Sequence, residues 1–189
     1  KTAGNAVRRV AGPTRGGEVL RATYLREPPT RDALTCRGIE TFVPERIVRS
    51  RDRRGRFCTV REAALHNYIF VRTTKRVIDE LKTFRLPMLR YVMHVEEGLN
   101  RPMIVPEAQM RHFMAVAGSL QPQVLYLSPS ELDLAKGDRV RITGGLFAGV
   151  EGILLRIRQA RERRVIVSIE GVAAVATTSV PASQIEKIP

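Results

Sequence analysis

Five arginines fall within eight residues, Arg49, Arg51, Arg53, Arg54 and Arg56, the densest group of chemistry-bearing side chains in the chain. Guanidinium groups held this close repel one another, and an anion relieves that cost, so the group suits phosphate or an acidic protein surface. Contacts of this kind carry affinity and salt dependence but do not read base sequence. No catalytic set competes with them. Cys36 and Cys58 lie far apart with no CxxC, and His66, His94 and His112 are scattered without ligand spacing. There is no phosphate-binding glycine loop and no nucleophile with a paired base. The expectation is a binding protein rather than an enzyme, with free thiols, no catalytic residues, no metal and no cofactor.

A hairpin must carry these arginines. In ERIVRSRDRRGRFCTVREAAL, the apolar residues Ile47 and Val48 precede, and Phe57 and Val60 follow, a DRRG segment of turn composition. Before it, the sequence from Glu18 alternates as a strand, Pro28 and Pro29 open a short helix that Gly38 stops, and IETFVP makes a second strand. After it, HNYIFVRT (66–73) is rich in β-branched and aromatic residues, as a central strand is. Val77, Ile78 and Leu81 then show the helical period over 75–83, and residues 89–95 give another strand. Pro106 begins an amphipathic helix with Met110, Phe113, Met114 and Ala117 on its inner face. Residues 18–117 are therefore expected to form one sandwich of antiparallel sheet and flanking helices, in a chain of α+β class.

Around this module, residues 1–17 lack periodicity and are expected to be a flexible leader, while 118–133, with Pro122 and Pro129, are expected to be a linker. VLYL within the linker is apolar enough to dock on a neighbour. From 134 to 189 the pattern is all β. KGDRVRITGGLFAGVEG (136–152) reads as strand, glycine turn and strand, with Val140 and Ile142 inward and Arg139 and Arg141 outward. Further strands at 153–158, 164–169 and 173–178 would complete a small β-barrel.

The 189 residues carry a net charge of +13 with a pI near 10.9, and the excess is concentrated at one end. Residues 1–61 hold 15 Lys and Arg against 6 Asp and Glu, whereas 119–189 hold 9 against 7. A basic face confined to one part of the chain captures a polyanion, and nucleic acid is the first partner to consider. No apolar run approaches the ~18 residues of a membrane span, and the N-terminal residues have no signal-peptide core, so a cytoplasmic location with no membrane partner is expected.

The 136–152 stretch resembles a KOW motif, the β-barrel element of NusG-type transcription factors and some ribosomal proteins, with Gly152 at the position of the hallmark glycine. GIETFVP (38–44), HNYIFVRT (66–73), NRPMIVP (100–106) and GVAAVATTSVPASQIE (171–186) resemble the UpxY branch of the NusG-type family, antiterminators of capsular polysaccharide operons in Bacteroides-type bacteria. The resemblance spans about 18–188 and implies an NGN-like domain, a linker and a KOW domain of SH3-like barrel form. It implies a monomeric factor that binds the clamp helices of RNA polymerase and suppresses pausing or termination. By position, Leu65 and Tyr68 fall on the polymerase patch, and Arg21, Arg26 and Arg31 on the face that meets the displaced non-template DNA strand. Of Tyr68 and Phe70, taken to lie on opposite faces, Phe70 is assigned to the core. Phe147 falls at the turn where relatives contact a ribosomal or other protein, either as an exposed partner site or as a plug for the barrel end.

A second class of function fits the KOW motif and the charge alone: a ribosomal-type RNA-binding protein. That class would place most of its charge on the barrel, and the barrel third carries only +2 of the +13.

Overall fold

The computed structural model describes residues 17–21, 27–127, 137–156, 163–169 and 171–189. Arg26 and the 1–16 part of the expected leader lie outside them. The described chain is α+β, and it falls into two compact units that the backbone enters in turn. One takes the residues up to 43 together with 66–107, the other 44–65 together with 108–189.

The first unit is built on a sheet of order β2 (Glu40–Phe42), β5 (Tyr68–Arg72), β1 (Gly17–Arg21), β6 (Arg90–Tyr91), with β9 (Ile104–Val105) also paired to β1. All these pairings are antiparallel. β5 is central, as its composition predicted, and Ile69, Phe70 and Val71 are buried on both of its faces. Helix α1 (Glu27–Thr35) packs Leu34 inward beside β2 and β5. Its two prolines sit in the first turn, where a missing N–H costs nothing, and Gly38 ends it at φ +73, a conformation that a side chain would resist. Helix α2 (Lys75–Phe84) buries Ile78 and Leu81 and links its outer turns by Lys75–Asp79 and Arg76–Glu80 pairs at 2.7 and 3.3 Å. The expected strand at 89–95 is broken at Val92, whose carbonyl accepts the Met103 N–H. Beyond the break, β7 (Met93–Glu96) and β8 (Leu99–Pro102) form a separate hairpin.

The second unit contains the arginine hairpin, β3 (Glu45–Arg51) and β4 (Phe57–Ala63), helix α3 (Glu107–Ala117, from Ala108) and a six-stranded antiparallel sheet. That sheet runs β10 (Leu125–Leu127), β14 (Ala173–Ala176), β13 (Arg163–Ile169), β12 (Glu151–Arg156), β11 (Asp138–Ile142), β15 (Ile185–Lys187). Closure into a barrel requires the end strands to exchange hydrogen bonds, and among the described residues β10 and β15 do not pair, so this sheet is open. The VLYL stretch of the expected linker supplies β10. Its leucines pack over the small side chains of β14, with Leu125, Leu127 and Leu155 against Ile166, Ala174 and Ala176.

On α3 the buried stripe is Met110, Phe113, Val116 and Ala117, while Met114 is only half-buried on its flank. Gln109 donates to the Ser168 carbonyl at 2.7 Å, and His112 Nδ1 accepts the Glu151 N–H at 3.3 Å. Burial holds His112 below the usual imidazole range, the Arg111 and Arg141 charges act in the same direction, and Glu151 opposes them. A histidine depressed in the folded state keeps its full stabilising contribution above about pH 6.5 and loses it as the pH falls toward the folded value. Thermal melts between about pH 7.5 and about pH 5.5 should therefore show a larger loss for the wild type than for His112→Gln, which cannot titrate.

Candidate nucleic-acid and partner surfaces

Alternation decides what the arginine hairpin presents. The register pairs Arg51 with Phe57, Arg49 with Thr59 and Ile47 with Arg61, and these six side chains share one face. The other face carries Arg46 opposite Glu62, joined by an ion pair at 2.7 Å, and Val48, Ser50, Cys58 and Val60. β3 and β4 pair with no other strand among the described residues; the even face is half-buried at Val48, Ser50, Cys58 and Glu62, and the odd face is exposed at Ile47, Arg49, Arg51, Phe57, Thr59 and Arg61. Of the apolar residues whose spacing suggested the hairpin, Ile47, Phe57 and Val60 are exposed and Val48 is half-buried, so the spacing marks no buried core.

The turn itself is organised by one carboxylate. Asp52 accepts the backbone N–H of Arg54 at 2.8 Å and of Arg56 at 2.9 Å, and its other oxygen accepts Arg56 Nε at 3.1 Å. Those bonds, the Arg56 N–H first, hold the Asp52 carboxyl below the usual range, and Gly55 closes the turn at φ +76. Arg56 is thus tied to Asp52 while its side chain stays exposed. Arg53 and Arg54 are exposed at its tip, and Arg49 and Arg51 lie with their guanidinium carbons 5.7 and 4.7 Å from the Phe57 ring centre. Seven arginines face three carboxylates over residues 45–63. The structure so brings together Arg49 and Arg51, and separately Arg53, Arg54 and Arg56.

The other expected nucleic-acid residues belong to the first unit. Arg21 ends β1, opposite Tyr68 on one side and Arg90 on the other. Arg31 lies on α1, partly buried, with Nε 3.0 Å from the Asp32 carboxylate. Tyr68 opens β5 and is half-buried; two residues from Phe70, it lies on the same face, not the opposite one. Phe70 is core as expected, its ring 6.2 Å from that of Phe42. Leu65 is half-buried in the segment before β5 and belongs to the second unit. Sequence reasoning missed Glu27, a fully buried carboxylate that accepts the Asn67 N–H and so fixes the backbone beside Tyr68. Asn67 adopts φ +70, and no local pattern announces that contact.

In the second unit, the loop between β11 and β12 bears on the two readings left open for Phe147, and the exposed one is not what is seen. Phe147 is only 4% exposed and turns inward, while Leu146 beside it is 68% exposed. Gly145 and Gly149 both take positive φ, and the Gly149 N–H closes on the Ile142 carbonyl at 2.7 Å, which folds the loop back over Phe147. Val140 and Ile142 are buried and Arg139 and Arg141 exposed, as alternation predicted, with Arg141 held to Glu151 by two bonds at 2.7 and 2.9 Å. Gly152 has a structural reason of its own, since a Cβ there would stand 2.4 Å from the Ile166 carbonyl oxygen. Tyr126 of β10 reaches the carbonyls of Ala117 at 3.0 Å and Glu45 at 3.3 Å, and burial raises its hydroxyl to about 12.

Cys36 and Cys58 are free thiols, and no helix among the described residues is long and apolar enough to cross a membrane. No curated protein matches the chain. Residues 19–114, just over half of the chain, match the NusG family, described as transcription termination factor nusG, and the chain belongs to that family.

Proposed function

We propose that this protein binds RNA polymerase and suppresses pausing or termination, as an UpxY-like antiterminator serving a capsular polysaccharide operon. NusG-family proteins are non-enzymatic transcription factors that bind RNA polymerase, and the single observation that carries the reading is the family match over 19–114. It falls on the segment rich in arginine and ends before β11, which favours a polymerase factor over a ribosomal-type RNA-binding protein. In this reading 18–117 act as the NGN-like domain, 118–133 as the linker and 134–189 as a KOW domain, and the free protein is a monomer.

Leu65 and Tyr68 would meet the polymerase clamp helices, the half-buried Tyr68 supplying aromatic area at small entropic cost. Arg21, Arg26 and Arg31 would face the displaced DNA strand, and the hairpin arginines would contact phosphates. The β11–β12 loop would receive the partner of the KOW domain, with Leu146 as its surface and Phe147 beneath it. Association of the full chain with purified core polymerase at moderate salt tests the proposal. Tyr68→Ala should weaken it by about tenfold, the loss of an interface anchor. Absence of association by the wild type would end the reading, and undiminished binding by Tyr68→Ala would remove that residue from it.

A further inference from the structure

We infer that the odd-numbered face of the β3–β4 hairpin takes an unpaired nucleobase, with Phe57 as the stacking surface and Arg49 and Arg51 as its flanking cations. The inference rests on the nucleic-acid reading above and adds to it which form of nucleic acid is bound. Three observations carry it. Phe57 is 68% exposed, on a hairpin that pairs with no other strand among the described residues, so its ring is accessible to a planar ligand. Two guanidinium groups lie 4.7 and 5.7 Å from that ring, where they pair with its π face and can also reach the phosphates flanking a stacked base. The charge is one-sided: Arg46 is neutralised by Glu62 on the even face, while Arg49, Arg51 and Arg61 on the odd face have no carboxylate at ion-pair distance among the described residues.

Phosphate capture alone would require only the arginines. An exposed phenylalanine among them adds a surface that every base can use, because each base has a π face, but a base within a duplex is already stacked on its neighbours. The face therefore selects single strands, and it does so without reading sequence. Asp52 contributes by holding the turn closed, which keeps β3 and β4 in the register that sets Phe57 opposite Arg51.

The test uses the full chain and fluorescence anisotropy with three labelled probes: an oligothymidylate and an oligouridylate of about 12 nucleotides, and a DNA duplex with the same number of phosphates. Tighter binding to either single strand than to the duplex is expected, and the comparison of the two single strands shows whether DNA or RNA is preferred. Phe57→Leu, which keeps apolar bulk but removes the π face, should lose about tenfold on single strands and little on the duplex. Phe57→Trp should bind at least as tightly as the wild type. The salt slope of Phe57→Leu should stay that of the wild type, since it counts phosphates and not stacking. Equal single-strand binding by Phe57→Leu, or a preference for the duplex, overturns the inference; if Arg51→Gln still weakens all probes in that case, the phosphate reading survives. No binding to any probe overturns both.

Discussion

Gly152→Val should destabilise the six-stranded sheet by about 3 kcal/mol or more, enough to unfold it where the wild type is intact. A Cβ at this position would lie 2.4 Å from the Ile166 carbonyl oxygen and 2.9 Å from Val165 Cγ1. The nearer atom is backbone, fixed by the ladder of β12 and β13, so relief requires the two central strands of the sheet to separate. Gly149→Ala is the informative comparison within the same unit. Gly149 has φ +84 but nothing within 4 Å of an added Cβ, so its substitution costs only the left-handed strain, about 1–2 kcal/mol. Urea denaturation followed by far-UV circular dichroism separates the two variants. Equal midpoints would show that the close approach of β12 and β13 at Gly152 carries no such cost.

Local periodicity made the elements of this fold legible, and non-local contact hid much of what positions its surfaces. The β-branched run of β5, the prolines opening α1 and the arginine alternation of β11 each encode their environment within a few residues, and the structure follows them. Gly152 was marked by resemblance alone; the carbonyl that forbids a side chain comes from another strand and leaves no trace in the neighbouring sequence. The pairing of β10 with β14 joins residues about fifty positions apart, so VLYL could be read as apolar but not assigned a partner. The environments of Phe147 and Phe57 could not be read from the sequence, for one reason. Aromatic type fixes neither exposure nor burial at a turn or on an isolated hairpin, where the chain path decides: folded over Phe147, uncovered at Phe57. At Phe57 the residue type gained meaning only when the register placed two guanidinium groups beside it.

Glu27→Ala is expected to cost about 3 kcal/mol in stability and to weaken polymerase association along with it, whereas Glu27→Gln should stay within about 1 kcal/mol of the wild type. Glu27 is fully buried at the start of α1, and its carboxylate accepts the N–H of Asn67, which adopts φ +70 immediately before β5. Alanine would leave that part-buried N–H without its acceptor and a void where the buried side chain was. Glutamine keeps an acceptor oxygen, and its amide adds a donor at a place where two buried acceptors, Glu27 Oε2 and Asn67 Oδ1, have no hydrogen-bond partner among the described residues. The contact matters for function because it fixes the backbone one residue before Tyr68, the proposed polymerase contact. Asn67→Gly preserves both the N–H and the positive φ, so it should leave association unchanged. Association by Glu27→Ala at the wild-type level, measured at a temperature where circular dichroism shows it folded, would mean that Tyr68 needs no such support.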